Sequence, residues 1–308
     1  MEIVTLLISQ IIIMFLYMLL GFALYKGKKI SGEGSANMAT LLVWLIIPAV
    51  IVKSFCVEPT AARLMGLGLS IVAAVAAQAL SMAISHLAFK NRPIDNFGAA
   101  FSNAGFLGIP LVRATVGDEA VFYIAFFVAM LNILQWVYGV AVITEKKMTL
   151  KRSTLLHPLI LGTALGLALF VTGLGAKLPA VILGTLSGVS ALNAPLAMLI
   201  MGVYLAQADM KTLWTDKHLY IVSFVRLLVI PALTLLVLWG LRLLIPALGD
   251  TTALSLFIVA IAPVGANVAV YAQLHNKDYV YATKSVVLST LLSLLTMPLM
   301  VLLAQLML

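Results

Sequence analysis

The chain has 308 residues, of which 63% are hydrophobic and only 10% charged, a composition that excludes a soluble globular domain. Its net charge of +8 would suit a nucleic-acid partner, but the basic residues fall in short clusters between apolar runs, where they act as membrane orientation signals. A single cysteine, Cys56, excludes an intramolecular disulfide and a thiolate metal cluster.

Apolar runs of about 20 residues, each able to cross a hydrocarbon core ~30 Å thick, recur from end to end. The first, 3–25, follows Glu2 with no basic leader or small-residue cleavage site and reads as a retained span. After it come 36–54, 64–89, 96–113 and 119–143, then 156–173, 179–206, 218–243, 251–273 and 280–306. These are ten predicted transmembrane helices in one domain, 1–308, of an all-α polytopic membrane protein in the lipid bilayer. The loops that carry Lys26, Lys90, Lys146, Lys211 and Lys277 hold twelve Lys and Arg, and the alternate loops hold five. The basic loops therefore face the cytoplasm and both termini are extracytoplasmic.

The loop "TEKKMTLKRS", 144–153, divides the spans five and five, giving repeat one (1–143), a cytoplasmic linker (144–155) and repeat two (156–308). An odd number of crossings per half inverts one half relative to the other. Sliding Asn103–Asp118 onto Pro263–Asp278 needs no gap, places Gly105 on Gly265 and Asp118 on Asp278, and sets Leu107 opposite Asn267. Spans two and seven each carry an internal proline, Pro48 and Pro195. Interrupted spans in corresponding places of two halves point to a transporter site.

Span four contains "FSNAGFLGIP", the poorest helix-forming stretch in an apolar chain. Pro110 and Pro263 each lack an amide hydrogen and clash with the preceding turn, at about 3 kcal/mol in a helix interior. Gly105, Gly108 and Gly265 loosen the backbone further, which lipid penalises unless protein or a wet cavity covers it. The predicted arrangement is a pair of helices, four and nine, that unwind at the midplane and cross. Their second halves then aim N-terminal amides at one point, with Asn103 and Asn267 adding side-chain donors. The alternative is two ordinary membrane-helix kinks.

"FSNAGFLGIPL" and "APVGANVAVYAQLHNKD" resemble the characteristic segments of the auxin efflux carrier family, which includes bacterial malate- and malonate-type permeases and plant auxin exporters. The likeness covers about residues 5–305, including "LVWLIIPAVIVKSF" and "NAPLAMLIMGVYLA". It implies ten helices in two inverted five-helix repeats with crossed broken helices 4 and 9, as in sodium/proton antiporters and bile acid symporters. It also implies an organic-anion substrate whose carboxylate binds near the crossover, a homodimer, and no cofactor. The short connection between the halves fits a bacterial-type carrier in the inner (cytoplasmic) membrane.

All eleven acidic residues lie in loops or within a turn or two of span ends, which argues against a titrating carboxylate at mid-membrane. A sodium site made of backbone carbonyls and Asn or Gln oxygens stays open. Arg226, nine residues beyond Lys217, is expected roughly 13 Å deep. At that depth it pairs with a substrate anion or with helix-end carbonyls at a break. Lys284 is about 9 Å deep and either serves the substrate or snorkels to the surface. Asn132 and Gln135 share a helical face and are candidates for a cavity lining, whereas Gln78 and Asn193 read as links between helices. The substrate-binding candidates are thus Asn103, Gly105, Pro110, Asn132, Gln135, Arg226, Pro263, Gly265, Asn267 and Lys284. No catalytic or nucleotide-binding motif is present. The expected function is a secondary carrier of small organic anions working by alternating access, with a sodium-coupled symporter or a channel as alternatives.

Overall fold

The computed structural model describes residues 2–149, 155–208 and 210–308; Lys151 and Arg152 of the linker lie outside the described residues. In chain order the helices are α1 (Glu2–Lys26), α2 (Gly32–Ser54), α3 (Ala61–Ala88), α4a (Pro93–Ala100), α4b (Ala104–Thr115) and α5 (Ala120–Thr144). The second half supplies α6 (Pro158–Val171), α7 (Ala180–Gln207), α8 (Lys217–Leu244), α9a (Asp250–Ala260), α9b (Asn267–Leu274) and α10 (Tyr279–Met307). Seven of them, α1, α2, α3, α5, α7, α8 and α10, are long and apolar enough to cross a membrane. The shorter apolar helices α4b, α6 and α9a fall where three further spans are predicted.

Two helices start earlier than hydropathy suggests. Gly34 N–H donates to Ser31 Oγ and Arg63 N–H donates to Thr60 Oγ1, so side-chain caps set the starts of α2 and α3 in polar sequence.

The helices form two bundles. One packs α1, α2, α6 and α7 together; the other gathers α3, α4a, α5, α8, α9a, α9b and α10. Within the first, α1 and α7 touch backbone to backbone. A Cβ at Gly21 would lie 2.1 Å from the Leu199 carbonyl oxygen, and one at Gly202 would lie 1.9 Å from that of Met18, so only glycine permits this approach. Large apolar side chains such as Leu16, Leu20, Val181, Leu244 and Leu295 remain exposed around the outside, as a lipid-facing surface requires.

Three helices share a device that their sequences hide. In α2, α4b and α8 a five-residue π turn precedes an Ile–Pro pair: Leu42–Ile46 before Pro48, Ala104–Gly108 before Pro110, and Val225–Val229 before Pro231. Proline lacks its N–H and its ring crowds the carbonyl one turn back. Widening that turn by one residue relieves the crowding and lets the helix continue. A fourth π turn, Gln135–Gly139, lies in α5 without a proline.

Candidate functional site

The two broken helices meet at their breaks. Asn103 N–H donates to the Pro263 carbonyl at 2.8 Å, and Gly265 N–H donates to the Phe101 carbonyl at 3.0 Å. Between these bonds, Ser102 and Val264 face each other as an antiparallel bridge. The exchange is symmetric, with Ser102 opposite Val264. Asn103 therefore corresponds to Gly265, and Gly105 to Asn267. That register is two residues away from the predicted one, which matched Asn103 with Pro263. The slide aligned glycines by type, whereas pairing is set by which amides the opened backbone leaves free. Glycine at 265 relieves a tight approach, because a Cβ would stand 3.1 Å from the Ser102 carbonyl oxygen.

Beyond the bridge, α4b and α9b start with no side-chain cap. First-turn amides of a helix lack intrahelical partners and carry partial positive charge, about half a unit per helix end. Buried beside these starts are Ser102 and Asn103, and neither Ser102 Oγ nor Asn103 Nδ2 has a hydrogen-bond partner. Across from them, Asn267 Nδ2 donates to Gln135 Oε1 at 2.8 Å, tying α9b to the π turn of α5. Asn132 Nδ2 turns back to the Val128 carbonyl of its own helix. Ser102, Asn103, Gly105, Asn132, Gln135, Gly265 and Asn267 all line a pocket of about 30 Å³, room for a water molecule or two.

This pocket is the closed end of something larger. Val43, Phe106, Asn132, Ala266 and Asn267 also line a cavity of about 610 Å³ between the two bundles. Trp44, Trp136 and Tyr271 supply its aromatic walls, and its titratable lining includes Glu33 and His157 but no Lys or Arg. The cavity opens at the helix ends next to Lys29 and Lys277, as Gly32 and Tyr279 on its lining show.

The opposite ends of the bundles are bridged by ion pairs, whose residues line a smaller pocket of about 320 Å³. Asp118, in the turn between α4b and α5, pairs with Arg113 and with Lys53 of α2 at 3.6 Å. Arg113 also donates to the Ser190 carbonyl of α7. Lys53 and Ser190 belong to one bundle, and Arg113 and Asp118 lie just before α5 of the other, so this cluster bridges them. Burial works against the Asp118 carboxylate, but the adjacent Arg113 and Lys53 outweigh it and hold its pKa below the usual value.

Four sequence candidates line neither the pocket nor the cavity. Arg226 is 1% exposed and takes the second of its two predicted roles. Its Nε donates to the Ala262 carbonyl at 2.9 Å, Nη1 to the Ala99 carbonyl at 3.1 Å and Ser81 Oγ at 3.2 Å, and Nη2 to the Ala260 carbonyl. It thus holds helix ends behind the crossover and does not line the cavity. Lys284 is half-buried in the second turn of α10, lines neither the pocket nor the cavity, and makes no ion pair among the described residues. Pro110 and Pro263 shape the breaks without lining the pocket. Gln78 and Asn193 are links, as read: Gln78 Nε2 donates to the Ala100 carbonyl and Asn193 Nδ2 to that of Gly105. Sequence reasoning missed Ser102, the second residue of the stretch "FSNAGFLGIP", because serine in membrane helices usually bonds back to its own backbone, as Ser70 and Ser85 do.

Two bundles that meet at a pair of broken helices, with the larger cavity at one end, suit a membrane transporter. The family described as membrane transport protein matches residues 6–154 and 146–301, one match on each half. The chain belongs to that family, the auxin efflux carriers, whose members are transporters rather than enzymes. No curated protein matches it.

Proposed function

We propose that this protein is a secondary carrier that binds the carboxylate of a small organic anion at the converging starts of α4b and α9b. The observation that carries the reading is the pair of unsatisfied donors there. A buried hydroxyl and a buried amide without partners cost about 1–3 kcal/mol each, and a carboxylate oxygen would satisfy both. Two half-charges at uncapped helix starts match one negative charge.

The lining supports a monoanion with an apolar or aromatic body over a malate- or malonate-type dianion. A second carboxylate in this cavity would meet aromatic rings, neutral Ser, Thr, Asn and Gln side chains and Glu33, and no Lys or Arg. Alternating access follows if one bundle rocks against the other, opening the Lys53–Asp118–Arg113 end as the cavity closes. With ten crossings and the basic loops inside, the cavity faces the cytoplasm, and the two halves are inverted repeats in a bacterial inner membrane.

Uptake into proteoliposomes across a panel of mono- and dicarboxylates tests this. Saturable transport of apolar monocarboxylates, with dicarboxylates slower, is expected. A preference for dicarboxylates would move the site away from this cavity.

A further inference from the structure

The crossover has a second face, opposite to the anion pocket. Helices α4a and α9a end there, at Ala100 and Ala260, and each C-terminus carries about half a negative charge. Together they place about one negative charge in the buried interior. None of Arg226's hydrogen-bond partners is a carboxylate. They are the carbonyls of Ala99, Ala260 and Ala262 and the hydroxyl of Ser81. Ser81 Oγ and Gln78 Nε2 in turn bond the Ala100 carbonyl. A ring of carbonyl oxygens and one hydroxyl around a single positive centre is the donor set that replaces the hydration shell of a bare metal cation.

We propose that the Arg226 guanidinium is a resident countercation. It fills a carbonyl cage that, without it, would need a small cation from solution, so anion transport here needs no co-transported metal cation. The π turn Val225–Val229 supports this role, since it bulges α8 at the residue that must reach both helix ends. The fixed geometry also accounts for arginine over lysine. Its forked donors reach carbonyls on α4a and just beyond α9a together, whereas one ammonium cannot span them.

The transport half of this proposal rests on the carrier reading; the cage can be tested on purified protein alone. Thermal unfolding is compared in sodium, potassium and millimolar guanidinium chloride at matched ionic strength, with urea as a neutral control. Wild type is expected to melt at one temperature in all three salts. Arg226→Ala should melt lower and recover stability saturably with guanidinium, because a ligand that binds only the folded state raises its stability. Failure of every cation to shift Arg226→Ala would overturn the proposal, as would selective stabilisation of wild type by sodium. Should Arg226→Ala not fold, wild-type proteoliposomes decide, with equal uptake expected in sodium and potassium media and a sodium requirement overturning the proposal. If no anion is taken up in either medium while guanidinium still rescues Arg226→Ala, the carrier reading falls and the cage stands.

Discussion

The two faces of the crossover are built from the same broken helices, yet they differ in every physical respect. On the face with the two C-termini, each named carbonyl has a donor, the Arg226 charge is enclosed, and Arg226, Ser81 and Gln78 knit four helices together. On the face with the two N-termini, the helix starts are uncapped, two buried donors are unpartnered, and a cavity of about 610 Å³ lies alongside. The first face holds the breaks in place and the second leaves them available. A binding site in a membrane needs both, because exposed amides survive in an apolar medium only where something else fixes the backbone that presents them.

The comparison is broken most directly on the satisfied face. Arg226→Gln should lower thermal stability by about 3–5 kcal/mol, the range for removing one partner from a buried charged network. The remaining folded protein should still show a substrate-induced rise in melting temperature, since Arg226 does not line the cavity. Loss of that rise would place Arg226 in the site after all.

Gly265→Ala attacks the seam between the faces. Its methyl group would press on the Ser102 and Phe101 carbonyl oxygens, and overpacking of this kind costs about 1–3 kcal/mol. Transport should fall well below the level of a surface control, with the loss visible in binding as well as in rate.

On the open face the signs should reverse. Ser102→Ala removes a buried hydroxyl that has no partner, so the empty protein should be as stable as wild type or more so. Substrate affinity should nevertheless drop about ten- to a hundred-fold, the worth of a hydrogen bond to a charged group. Asn103→Ala should behave similarly, whereas Asn267→Ala also frees Gln135 and should cost some stability. If Ser102→Ala destabilises the protein and leaves affinity unchanged, the hydroxyl has a structural partner and the contrast between the faces fails.

The smallest effect belongs to the closing ion pairs. Asp118→Asn breaks contacts to Lys53 and Arg113 at a half-exposed site and should cost at most about 1 kcal/mol. It should raise the accessibility of residues between α2 and the start of α5 to membrane-impermeant labels. Because the Asp118 pKa is depressed, its contribution is complete above the ordinary carboxylate value near 3.9 and fades as pH falls through its lower native value. Labelling that is flat from pH 5 to 8, within about a factor of two, would agree with this.

Much of this was legible beforehand. Pro110, Pro263 and the glycines marked the breaks, Asn103 and Asn267 marked the polar groups beside them, and the spacing of Asn132 and Gln135 gave a shared face. Depth alone limited Arg226 to two roles, but choosing between them required knowing where the carbonyls of Ala99, Ala260 and Ala262 point. The register of the crossing was invisible for a similar reason, because hydrogen-bond pairing belongs to the folded backbone. Ser102 was hidden by ordinariness: its residue type says nothing until its usual acceptor turns out to be missing.

The Ile–Pro turns also set the phase of each helix. An α-helix rotates about 100° per residue, so the one extra residue in a π turn rotates everything after it by that much relative to an uninterrupted helix. In α2, Leu45 within the π turn is exposed, while Ile47, Val50 and Ile51 after it are buried. A single deletion between Leu42 and Pro48 would leave composition and hydropathy almost unchanged. It would swing Lys53 about a quarter-turn round the helix axis, away from Asp118, and the latch between the bundles would lose its keeper.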